Sequence, residues 1–267
     1  MSGRPPQEIW EEGIDEGERR LQRNVSGLAA TGFAGGAEIA LGILAIMAAS
    51  GAVAEVAPQP VAHLVGSLFF GIAFVLITLG RAELFTENFH IPVSAVHARR
   101  ATVGVLLRMW TVTFVFNMVG LLALLGLLSV DGVLPPDIVK AAGPLADTLA
   151  DRGALAAFVS AIVAGAVMTL FTWVVAAAES ASARVIAALL VGFLLAAPSL
   201  NHAVVGFGEV LVGLLTDTTT ADVGDLVGNT ALAVAGNLVG GVGLVFLTRL
   251  AQVRGEPGEH RSGERPA

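Results

Sequence analysis

Apolar residues run along the chain in six blocks separated by short polar intervals. They cover about 25–49, 61–80, 101–130 and 155–178, a block from about 183 that breaks at 198–202 and resumes over 203–215, and about 226–250. Each is near or above the ~20 residues a helix needs to cross a bilayer. The pattern predicts an all-α membrane protein with six transmembrane helices, the second and fifth of them broken. The breaks carry the informative residues. The second block ends in Arg81-Ala82-Glu83-Leu84-Phe85-Thr86-Glu87-Asn88-Phe89-His90, and the fifth is interrupted by Ala197-Pro198-Ser199-Leu200-Asn201-His202. Such side chains are costly in hydrocarbon and should face protein or a water-filled cavity. The two breaks therefore read as the halves of one solute pathway.

The third block holds Asn117-Met118-Val119-Gly120 and the sixth Asn237-Leu238-Val239-Gly240. The asparagines stand 120 residues apart, and Thr86 and His202 stand 116 apart. Three blocks followed by three, with a break in the middle member of each, indicate a duplication. An odd number of crossings per unit makes the second copy inverted. Paired discontinuous helices in inverted repeats point to a site near the bilayer midplane.

Composition agrees with this class. Of 267 residues, 55% are hydrophobic and only 14% charged, against roughly a quarter charged in soluble domains. The absence of cysteine excludes disulfides, thiolate metal sites and cysteine nucleophiles. No basic patch interleaved with aromatics suggests nucleic acid. Arginines cluster before block one, between two and three, between four and five, and after six, so the positive-inside rule puts both termini in the cytoplasm. Residues 1–24 read as a cytoplasmic segment with a weak amphipathic stripe, 25–251 as the channel domain, and 252–267 as a disordered cytoplasmic tail.

The Ala82-Glu83-Leu84-Phe85-Thr86 motif, the Asn201-His202 pair and the duplicated Asn-x-Val-Gly together resemble the formate/nitrite transporter family over about residues 32–250. The resemblance implies an aquaporin-like bundle in a bacterial-type inner membrane. It implies a homopentamer with one pore per subunit that passes small monovalent anions, often with a proton, and needs no cofactor. It marks Thr86, the central His202 and the supporting Asn237 as pathway residues, with Asn201 beside them. By the same match, Phe70, Phe74 and Leu195 form a cytoplasmic-side constriction, and Leu84 and Phe85 belong to a closing loop. The chain departs from the family at Arg81 and Glu87, usually small residues, and at Asn201, commonly glutamate. Arg152 is the only basic residue near the start of span four, where many members carry a lysine.

Two devices lower the cost of an anion in hydrocarbon: helix N-termini aimed at it, and a proton donor beside it. Histidine, with an ordinary pKa near 6.5, suits the second. On this reading His202 hydrogen-bonds the anion and lends it a proton, while Thr86 orients it from the opposite wall. The competing reading is a buried histidine that ties two half-helices together. Arg81, Glu83 and Glu87 read as a mutually neutralising cluster, with anion recruitment by Arg81 as the sharper alternative. Glu38 has no evident partner, and His63, His90 and His97 are expected at the surface. A neutral-solute pore of aquaporin type lacks its paired Asn-Pro-Ala boxes here. An intramembrane enzyme would need more than Ser199 close to His202, since no acid or oxyanion loop is evident.

Overall fold

The computed structural model describes residues 4–255. A surface helix α1 (Pro6–Leu21) precedes α2 (Val25–Val53). Next come α3 (Gln59–Phe69) and α4 (Gly71–Gly80), which run on as one 22-residue apolar rod. A loop with a 3-10 turn at Phe85–Phe89 leads into the short α5 (Ile91–His97). Helix α6 (Val103–Leu128) is followed by the connecting helices α7 (Pro136–Lys140) and α8 (Ala142–Ala150), then by α9 (Ala154–Ala177). Helices α10 (Ala181–Ala196) and α11 (Ala203–Leu215) flank the second break. The last rod joins α12 (Val223–Leu238), a π-helical stretch Val239–Phe246 and α13 (Leu247–Gly255). Among the described residues, five rods are long and apolar enough to cross a membrane, and α10 and α11 are shorter apolar helices.

Local chemistry explains the starts. Asn24, Thr102 and Ser180 accept the orphan N–H of Gly27, Val105 and Ala183, as N-cap residues do. Asp222 and Asp225 form a reciprocal capping box on α12. Helix α13 continues to Gly255, so the first residues of the expected tail are helical. The remainder of that tail lies outside the described residues.

The repeat is visible atom by atom. Asn117 accepts from Phe85 N–H (2.9 Å) and donates to the carbonyls of Gly32 (2.7 Å) and Glu83 (2.9 Å). Asn237 accepts from Ala203 N–H (2.9 Å) and donates to Ala161 (2.8 Å) and Asn201 (3.1 Å). A Cβ on Gly36 would overlap the Asn117 carbonyl, and one on Gly165 the Asn237 carbonyl. These glycines bring α2 onto α6 and α9 onto α12 at backbone contact, the way small residues build membrane bundles. The left-handed backbone repeats as well. Arg81 (φ 58°) and Ser199 (φ 49°) stand 118 residues apart, as do Arg99 (φ 61°) and Asp217 (φ 53°). The true register is therefore 118 at the breaks. His202 is the counterpart of Leu84, and the 116-residue spacing of Thr86 and His202 is not an equivalence.

Helix α1 lies against α5. Trp10 is buried between His90, His97 and Phe246, and His90 also meets Trp173 at 5.2 Å. His90 is thus a core residue, 1% exposed, and not the surface residue expected. Its partners arrive from both ends of the chain, so no local pattern marks it. On the outer face of α1, a hydrogen bond from Arg4 holds the Glu12 carboxyl below the ordinary carboxylate range. Burial alone would push Glu16 up, but the hydrogen bond and charge of Arg20, with Arg19 and Arg23 nearby, outweigh it and hold it low. A depressed carboxylate stabilises the folded helix fully above its ordinary pKa and loses that contribution as pH falls through the lowered value. Helix α1 is therefore expected to loosen below about pH 4. Cleavage within residues 6–21 by an acid-active protease, compared between pH 5 and pH 3, checks this; equal protection at both would contradict it.

Candidate permeation site

The two breaks meet in the interior. His202 is the N-cap of α11, and its Nδ1 accepts from the N–H groups of Val204 (3.3 Å) and Val205 (3.1 Å). That occupation leaves the proton on Nε2. Nε2 lies 2.6 Å from Thr86 Oγ1, on the 3-10 turn of the other break. With the hydroxyl oxygen accepting from the imidazole, its own proton is free to be donated onward. Both side chains are fully buried.

The frame around this contact is polar and mostly satisfied. The Asn201 carboxamide exchanges two hydrogen bonds with Asn229 (2.8 and 3.1 Å), and its backbone N–H donates to Ser160 Oγ (3.1 Å). Arg152 donates to the same Ser160 oxygen at 2.9 Å, which brings it within one side chain of the site. Asn229 and Ser160 were not legible in the sequence, since neither stands in a break or in the duplicated Asn-x-Val-Gly pattern. In the first repeat, the counterpart of Asn201 is Glu83, whose carboxylate receives Arg23 at 2.6 Å and Arg20 at 3.7 Å. Arg81, Glu83 and Glu87 therefore do not neutralise one another. Glu83 is paired with arginines of the α1 region, Glu87 is buried, and Arg81 is exposed. The left-handed C-cap that Arg81 occupies costs a non-glycine residue roughly 1 kcal/mol. Glu38 comes near Gly80, and its Oε2 is buried with no hydrogen-bond partner among the described residues.

Phe70, Phe74, Leu84 and Leu195 are buried in one apolar cluster. Phe70 meets Phe74 edge-on at 5.6 Å, and Phe74 meets Phe171 at 5.4 Å. Phe85 turns toward Phe89, Trp110 and Phe114, while Trp110 anchors the loop by donating to the Asn88 carbonyl at 3.0 Å. Phe85 thus packs on α6 and makes no ring contact with Phe70 or Phe74.

Two cavities open at opposite ends of the α3–α4 rod. One, about 640 Å³, is walled by Gln59, His63, Glu55, Asp137 and Lys140. The other, about 380 Å³, lies on the α1 side and is walled by Ile77, Arg81, Glu83, Glu87 and Phe171 among others. His202 and Thr86 line neither cavity. Phe70 and Phe74 fall along the rod between His63, which lines the first cavity, and Ile77, which lines the second. His63 is half-buried, with Nε2 3.2 Å from the carbonyls of Ala196 and Ala197 at the end of α10. Ser199 Oγ lies 3.3 Å from the same His63 nitrogen. Among the described residues, the only imidazole bonded to Ser199 is that of His63, which leaves the Ser199–His202 nucleophile pair without geometric support. Among the described residues, no three His, Asp or Glu side chains converge as a metal-ligand set.

Comparison with known proteins agrees with this architecture. A family model described as "Formate/nitrite transporter" matches residues 7–251. The uncharacterized transporter YrhG of Bacillus subtilis (strain 168) is 27% identical over 256 residues, covering 92% of this chain and 93% of the relative. A solved structure titled an FNT family ion channel superposes with a TM-score of 0.79 at 21% identity, over 92% of this chain and 98% of the other. Another, a pentameric formate channel with formate bound, gives 0.68 at 18% identity, over 85% and 97%. This chain belongs to the formate/nitrite transporter family.

Proposed function

We propose that the protein is a transmembrane pathway for small monovalent anions of the formate and nitrite type, and that the anion passes the Thr86–His202 contact. The observation that supports this most is the pair of backbone hydrogen bonds that His202 Nδ1 accepts. With Nδ1 occupied by two backbone N–H groups, the imidazole presents Nε2–H to Thr86, and Thr86 presents its hydroxyl proton to the pathway. An anion arriving there meets a neutral donor pair beside the N-terminus of α11, whose dipole favours negative charge. The fully buried Phe70, Phe74 and Leu195 supply a dry wall that holds back hydrated ions.

This geometry alters the role first expected of His202. Charging the imidazole requires a proton on Nδ1, which would displace both capping N–H groups. Donation by a neutral ring is therefore favoured over a loaned proton. The rest of the reading is of a piece: α10 and α11 together make the fifth of six crossings, and both termini are cytoplasmic in an inner membrane of bacterial type. Five copies assemble with one pathway each, and no bond is made or broken.

The test is anion entry into vesicles carrying the purified protein. Formate and nitrite are expected to enter several times faster than into empty vesicles, while sodium and choline are held out. Rapid water flow with no anion entry would instead support a neutral-solute pore.

A further inference from the structure

We propose that the cavity on the α1 side is an anion-binding antechamber whose ligands are Arg81 and Arg184, suited to a small carboxylate or nitrite-like oxyanion. The inference rests on the transport reading and adds to it a second site, away from the Thr86–His202 contact.

Six arginines and four glutamates line this cavity, leaving it two positive charges in excess. Four of the six arginines are committed. Arg4 pairs with Glu8 and Glu12, Arg19 and Arg20 with Glu16, and Arg23 with Glu83. Arg81 and Arg184 have no carboxylate within 4.0 Å among the described residues. Arg184 spends its Nε on the Ala178 carbonyl at 3.3 Å, which fixes the guanidinium and leaves its terminal amino groups for another partner. Among the described residues Arg81 makes no side-chain hydrogen bond, and its backbone position gives no reason for an arginine. The left-handed φ of 58° is a demand of the fold, shared with Ser199 in the other repeat, and glycine would meet it better. A long cation thus stands where the backbone favours a small residue, and it lines a cavity shared with a second uncommitted guanidinium.

Guanidinium matches the carboxylate fork in geometry and charge. At about 30 Å³ per water, a cavity of about 380 Å³ holds an anion with much of its hydration shell. The antechamber would therefore concentrate anions before the dry core strips them, acting on capture from the α1 side more than on passage. Glu87 is buried on the same wall.

The experiment uses Arg81→Gly, Arg184→Gln and the double variant, with formate as probe. In vesicles, the half-saturating formate concentration on the α1 side is expected to rise about threefold per substitution, and the rise should shrink as salt screens the site. Formate titrated into the detergent-solubilised full chain is expected to bind the parent more tightly than the double variant. An arginine with no anion to hold predicts something different: Arg81→Gly would leave half-saturation and binding unmoved, and that result would overturn the proposal. If even the parent carries no formate, the transport reading fails separately, and the titration still decides the antechamber. Equal formate affinity in parent and double variant would sink it.

Discussion

His202→Asn is expected to lower formate flux about 30-fold, the equivalent of roughly 2 kcal/mol for a lost buried donor, while the protein still folds and assembles. Asparagine is a favoured N-cap residue, so it can go on serving the N–H groups of Val204 and Val205 that His202 Nδ1 now accepts. Its side chain is too short to reach Thr86 as Nε2 does. His202→Phe removes both functions, so it should lose flux and stability together. The pair separates the reading of His202 as pathway donor from the reading of a histidine that only ties α11 to its neighbours. Were the histidine structural alone, Asn would restore flux and Phe would not.

The second large effect concerns the frame. Asn237→Ala removes three hydrogen bonds, to Ala203, Ala161 and Asn201. At about 0.6 kcal/mol for each hydrogen bond inside a membrane protein, the loss is about 2 kcal/mol. It rises to about 4 kcal/mol if the Ala203 N–H stays buried without a partner. Asn117→Ala cuts the same three bonds in the first repeat, to Phe85, Gly32 and Glu83. Thermal unfolding in detergent should therefore fall by similar amounts in the two variants. Flux should not behave alike. Asn237 clamps the residues on either side of His202, whereas Asn117 clamps those on either side of Leu84. Equal flux losses would argue that His202 has no more part in the pathway than its apolar counterpart.

Much of this was legible from the sequence, for physical reasons. Crossing helices announce themselves by length, because hydrocarbon admits few polar residues over ~20 positions. The breaks stood out because charge and hydroxyl are rare there. The duplicated asparagines were visible because each opens the same Asn-x-Val-Gly pattern.

The register of the repeat was not visible. The two breaks share backbone geometry, left-handed at Arg81 and Ser199, but no side-chain pattern, so pairing Thr86 with His202 looked like symmetry when it is contact. His63 and His90 were misplaced because their surroundings come from distant segments: the end of α10 for His63, and Trp10 and Trp173 for His90. Arg152 was reachable only through the family resemblance, and its link to Asn201 through Ser160 needed the fold.

The central claim is that anions cross at the Thr86–His202 contact. Its most direct measurement is the initial rate of labelled formate entry into vesicles bearing equal amounts of assembled parent and His202→Asn protein. The account predicts rapid entry for the parent and a rate near that of empty vesicles for the variant. Equal entry through both would contradict it.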